Sequence, residues 1–231
     1  MIEQAKQNIS AGLSNQIEYV QSPAESLPFI ADQSVDMIIS AQAAHWFNWT
    51  KLWAEAARIL NTDGSLAVWG YSEFRLTRYP SATPLINNYA QGSDPAESLG
   101  PHWERPGRTI VDEHLTAIPD PETVAPGAFQ DFTRVFFTGA HHPNLPDPRP
   151  VILRKQMTWD DLLAYFRTFS SLYTYHEKYP EDLKRPDGDI AVRFWNRLKA
   201  EVAQQENQNV ENIPDEIDVE WPLALILARR K

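Results

Sequence analysis

The residues able to do chemistry gather in a few places along the 231-residue chain. His45 and Trp46 follow the apolar run "VDMIISAQ" (35–42), so an imidazole lies just beyond a segment suited to a buried strand. There His45 can orient a substrate carboxylate or act as a base, or it can be a packed, hydrogen-bonded histidine at a helix entrance. Ser40, Ala41 and Gln42 end the same run, at the carboxyl edge where open α/β sheets place ligands. Arg167, Tyr173 and Tyr175 lie on or after an amphipathic helix. A guanidinium there suits a bidentate carboxylate contact, and a solvated helix face explains each of the three equally well. His141 and His142 precede Pro143 with no carboxylate at ligand spacing, so no metal site is expected. Trp49 and Trp53 continue from Trp46 at three- and four-residue spacing, which marks them as core.

These residues need elements to hold them. Ile2, Ala5, Ile9 and Leu13 predict an opening amphipathic helix ending near 12–15, and "QIEYVQ" (16–21) alternates like a short strand. After the buried strand at 35–42, "NWTKLWAEAARIL" (48–60) carries one apolar helical face, and "NTDG" turns the chain into the strand "SLAVWGY". That alternation is the grammar of an α/β sheet with parallel strands. From Pro80 to Pro150 the texture changes, with twelve of the eighteen prolines and one convincing strand, "DFTRVFFTG" (131–139). The stretch 156–175 predicts a helix capped by Thr158, with Asp160 and Asp161 complementing its dipole. The closing "IDVEWPLALILARR" (217–230) predicts a strand pair or one bent strand, irregular at Pro222.

Composition narrows the function classes. With no cysteine there is no disulfide, no thiolate zinc site and no cysteine nucleophile. A net charge of −10 argues against a phosphate-backbone partner, so nucleic acid is not expected. The longest apolar run, "PLALILA" (222–228), is far short of the ~20 residues that cross a bilayer. No secretory signal pattern is seen, and the expectation is a soluble, cytoplasmic protein with a small-molecule partner and no membrane.

The stretch "AESLPFIADQSVDMIISAQAAHWFNWTKLWAEAARILNTDGSLAVWGY" (24–71) resembles the second half of the class I S-adenosylmethionine-dependent methyltransferases. The shared features are an acidic loop ending in "LPF", a strand with "VD", a following "HW", a helix ending "EAARIL" and a "DG" turn. "TWDDLLAYFRTFSSLY" (158–173) is similar to the substrate-cap helix of the fungal trans-aconitate methyltransferase-like branch. The resemblance implies S-adenosylmethionine as cofactor. It places Ala24, Glu25 and Leu27 on the adenine-contacting loop, and the carbonyls of Ser40, Ala41 and Gln42 near the amino group of the methionine part. It sets His45, as the catalytic candidate, and Trp46 at the donor face, and has Arg167, Tyr173 and Tyr175 grip a small acid. The sequence departs from the family in one respect: only Gly12 precedes Gly64, so the glycine-rich loop and the acid-tipped second strand are not seen. "MIEQAKQ" looks like the helix after that strand.

The expected fold is therefore α/β, a class I methyltransferase-type (Rossmann-like), mostly parallel sheet, N-terminally truncated, with a helical cap insertion. Residues 1–79 form the partial core, 80–215 the cap with one core strand near 131–139, and 216–231 the C-terminal core strands. The strand at 16–21 is expected to face a gap where two strands are lacking, and the exposed edges to favour a homo-oligomer. The expected function is methyl transfer to a small carboxylic acid or similar metabolite. A cofactor-independent or non-catalytic binding protein is the alternative.

Overall fold

A computed structural model describes residues 2–8 and 16–231. In chain order it contains α1 (Ile2–Gln7), β1 (Val35–Ala41), α2 (Trp49–Ile59), β2 (Leu60–Tyr71), β3 (Arg75–Leu76), α3 (Thr83–Gln91), α4 (Gly107–Asp112) and α5 (Pro121–Val124). There follow β4 (Phe129–Phe137), β5 (Leu153–Thr158), α6 (Trp159–Phe166), α7 (Ser170–Lys178), α8 (Ile190–Glu206), β6 (Glu216–Trp221) and β7 (Leu223–Arg230). The end of the predicted first helix, at 12–15, lies outside the described residues.

The main sheet has the order β1-β2-β7-β4. β1 pairs parallel with β2, while β7 runs antiparallel to both β2 and β4, so three of the four strands share one direction. α2 covers one face because Trp49, Leu52, Trp53, Ala56 and Ile59 recur at helical spacing and all are buried. Asn48 starts that helix by accepting from the Lys51 N–H, and the tryptophans pack as the sequence predicts, with rings 5.1 Å apart. β2 begins earlier than expected: "NTDG" lies within the strand, with Asp63 at a positive φ of 63°.

A second, antiparallel sheet, β3-β6-β5, was not visible in the sequence. Residues 156–158 finish β5, and the single helix predicted within 156–175 is divided into α6 and α7 by a break at 167–169. The helix starts at Trp159, where Thr158 and Asp161 form a reciprocal capping box. The terminal segment divides at Pro222 as expected, but its halves join different sheets: β6 pairs with β5 and β7 with β2. The second sheet and the helices around it bury their own cluster, in which the Phe194 ring stacks on Tyr89 at 3.9 Å.

Two expectations are corrected. Residues 16–21 form no strand; they run as irregular, mostly exposed backbone, and no strand among the described residues pairs with them. β1 is an edge strand, with Met37 52% and Ile39 59% exposed, so its continuous apolar run is covered on one side only.

Candidate functional site

The parallel pairing of β1 and β2, with Ala41 opposite Trp69, brings both carboxyl ends to one level. Beyond them a crevice of about 280 Å³ opens between the sheet and the second cluster. Gln42 joins the two strand ends: its amide donates to the Tyr71 carbonyl (3.0 Å) and accepts from the Tyr71 N–H (2.7 Å). It takes a positive φ of 51° to do so. His45 and Trp46 come next, in a single turn (Ala44–Trp46) between β1 and α2, their rings 4.7 Å apart, and both line the crevice. Burial and, secondly, the Arg108 charge hold the His45 imidazole below its ordinary value, so it is neutral near pH 7. Its Nδ1 is buried with no hydrogen-bond partner.

The opposite wall comes from distant sequence. Glu73, just after β2, is 4% exposed and bonded through Oε1 to Arg108 of α4, while its Oε2 has no partner. Arg108 is held a second time by Asp112 and lies over the Trp103 ring, with its guanidinium carbon 4.3 Å from the centroid. Trp103 is fixed by its indole N–H on the Ala90 carbonyl (2.8 Å). Tyr165 accepts from the Trp221 indole N–H (3.0 Å), and Phe169 meets Tyr165 edge to face at 5.1 Å. Burial pushes the phenols of Tyr71 and Tyr165 above their ordinary range, so both stay protonated.

A second, more apolar groove of about 310 Å³ runs along the open edge of β1. Ala24, Leu27, Ile39 and Ser40 line it, together with Glu55. The Ser40 hydroxyl is buried without a partner. Leu27 N–H donates to Glu55 (2.6 Å), which also pairs with Arg58, and Glu25 accepts from the Asn48 N–H (2.7 Å). Ala41, exposed at the end of β1, lines neither cavity.

Of the residues singled out from sequence, the structure thus gathers Gln42, His45 and Trp46 in the crevice and Ala24, Leu27 and Ser40 in the groove. Arg167, Tyr173 and Tyr175 lie elsewhere. Arg167 pairs with Asp189 at the start of α8 (2.9 Å), the Tyr173 side chain is 70% exposed, and Tyr175 is buried with its hydroxyl on the Ala96 carbonyl. Helical periodicity shows which face a residue occupies, not which neighbour it meets. Sequence reasoning missed Tyr71, Glu73, Trp103, Arg108, Tyr165 and Phe169 as site residues. Glu73 had a usable signal, since it stands past the carboxyl end of the second parallel strand. Among the described residues no group of three or more metal-ligating side chains is gathered, and no helix is long and apolar enough to cross a membrane.

Residues 1–68 match the family model described as a methyltransferase domain. A solved structure from Anaeromyxobacter dehalogenans, named among type II methyltransferases, aligns with a TM-score of 0.59 over 92% of this chain and 71% of its own, at 21% identity. The fold is that of the class I methyltransferases. Two relatives agree with this. A Saccharomyces cerevisiae protein, named among S-adenosylmethionine-dependent methyltransferases, is 26% identical over 95% of this chain and 71% of its own length. A Dictyostelium discoideum protein, named among methyltransferases, is 25% identical over 96% of this chain and 70% of its own.

Proposed function

We propose that this chain takes part in methyl transfer from S-adenosylmethionine to a small molecule held in the crevice. The observation that carries the reading is the junction at the end of β1, where Ile39 and Ser40 line the edge groove and Gln42 and His45 line the crevice. A donor along the groove and an acceptor in the crevice would meet at that strand end.

The groove fits part of the cofactor. Its apolar walls and the unpartnered Ser40 hydroxyl suit a flat purine and one polar edge. Its carboxylate, Glu55, is already committed to Arg58 and Leu27, so the lining of the groove offers no free acid for a ribose diol. Bound S-adenosylmethionine supplies an electrophilic methyl group. The chain's own part is positioning: Gln42 fixes the two strand ends, the aromatic walls exclude water, and His45 Nδ1 is available to accept a proton or hydrogen bond.

The small carboxylic acid implied by resemblance finds no support in Arg167, which faces Asp189. The cation present in the crevice is Arg108, and two carboxylates already match it. The chain's net charge of −10 favours a small molecule over nucleic acid as partner.

Calorimetric titration with S-adenosylhomocysteine tests the donor side. Saturable binding weaker than about 10 μM is expected, corresponding to less than ~7 kcal/mol from the purine half. Ile39→Asp should abolish it by placing a charge in the groove, while His45→Gln should leave it unchanged. Absence of saturable binding up to millimolar ligand, or binding indifferent to Ile39→Asp, overturns the reading.

A further inference from the structure

We propose that the crevice is built for an organic ammonium: a small molecule with an apolar or aromatic body and a cationic, N–H-bearing head. The proposal names the class of acceptor, an amine that binds as its ammonium and releases one proton, to His45 Nδ1 or to water, before its nitrogen lone pair takes the methyl and the donor's sulfur–carbon bond breaks. It thus rests on the reading above, but binding to the crevice is measured without any donor, so the two fail separately.

Three observations carry it. First, Glu73 is 4% exposed and lines the crevice, and its carboxylate oxygen Oε2 is buried there without a hydrogen-bond partner, so a ligand reaches it only when the side chain turns towards the crevice. A buried acceptor left unpaired is costly unless a ligand completes it. His45 Nδ1 is a second unpartnered atom in the same wall, and a neutral imidazole protonated at Nε2 accepts there. Two acceptors suit the several N–H donors of an ammonium.

Second, the charges of the wall do not balance. On the lining itself Glu73 and Glu104 stand against the one guanidinium of Arg108. Behind it Asp112 pairs with Arg108, and the charges of Arg105 and Arg75 act on Asp112 and Glu73 from outside the lining. A carboxylate entering here would meet a neutralised arginine and the spare oxygen of Glu73. A cation would find an excess of negative charge in a partly desolvated site. Tyr71 and Tyr165, kept as phenols, add no charge of their own.

Third, the walls are π faces. Trp46, 53% exposed, Trp103 and Phe169 line the same crevice as Glu73 and His45. Trp103 already carries a cation, Arg108, over its ring. Aromatic faces together with a carboxylate are the surroundings in which ammonium groups bind best.

The test compares two probes of similar size, benzylammonium and phenylacetate, by quenching of tryptophan fluorescence in the full chain at pH 7. Benzylammonium should bind saturably and at least about tenfold more tightly than phenylacetate. Glu73→Gln should weaken the amine about tenfold and narrow the preference. Because Glu73 also holds Arg108, Trp46→Ala serves as a second variant at an exposed position. It should leave the circular dichroism spectrum unchanged and weaken the amine about three- to tenfold. Equal or tighter binding of phenylacetate, no saturable response to either probe, or amine binding indifferent to Trp46→Ala overturns the proposal.

Discussion

His114 is 3% exposed, takes a left-handed φ of 55°, and shares a hydrogen bond with Ser72 Oγ at 3.1 Å, one residue from Glu73. The His142 ring stands against it at 4.0 Å. Burial pushes His114 down to about 4. His142 falls to about 3 through burial, with the charges of His114, Arg75 and His141 adding to the effect. In the folded protein both are neutral at pH values where the unfolded chain, with an ordinary histidine value of about 6.5, already binds protons. Stability is therefore complete above pH ~6.5 and lost as pH falls towards 4, at about 1.4 kcal/mol per pH unit for His114 alone. Urea titrations at pH 7 and 5 should show this. His114→Asn, which tolerates the left-handed backbone, should flatten the dependence. An unchanged slope in the variant would remove His114 as its source.

At the scale of the element, β1 decides the most. Its inner side chain Ile38 packs against the sheet cluster, while Met37 and Ile39 stay exposed on a strand whose outer backbone edge has no partner among the described residues. An apolar, unpaired edge is a template for pairing with a second copy. Met37→Lys should reduce concentration-dependent self-association in light scattering with little change in melting temperature, since it removes no buried contact. Association that is the same in both proteins would place the contact away from this edge.

For the whole molecule, the crevice lies between the carboxyl ends of β1 and β2 and the second apolar cluster, which supplies Tyr71, Trp103, Tyr165 and Phe169 to its wall, and its shape depends on both sides. Phe194 is fully buried in the second cluster, with Phe166 5.0 Å away and Tyr89 stacked on it. Phe194→Ala should cost about 3–5 kcal/mol, or roughly 10 °C in melting temperature. It should also weaken binding in the crevice, because Phe166 supports Tyr165 and Phe169. A melt shifted without any loss of ligand affinity would mean that the sheet side alone shapes the site.

The sequence by itself determined what local rules decide. The unit from β1 through α2 to β2 is legible because strand runs and helical periodicity act within a few residues. The buried faces of Trp49 and Trp53, the Thr158 cap and the break at Pro222 follow from the same short-range sterics and hydrogen bonding. The rule that open α/β sheets place ligands past the strands' carboxyl ends singled out Gln42, His45 and Trp46, and a crevice lined by these three opens there. Tertiary structure alone decided the partners. Arg108 meets Glu73 across 35 positions, Arg167 is matched by Asp189 rather than facing the crevice, and β6 leaves the main sheet to pair with β5. Such pairings come from packing between remote segments, where many choices satisfy the same periodicity and only the folded chain selects one.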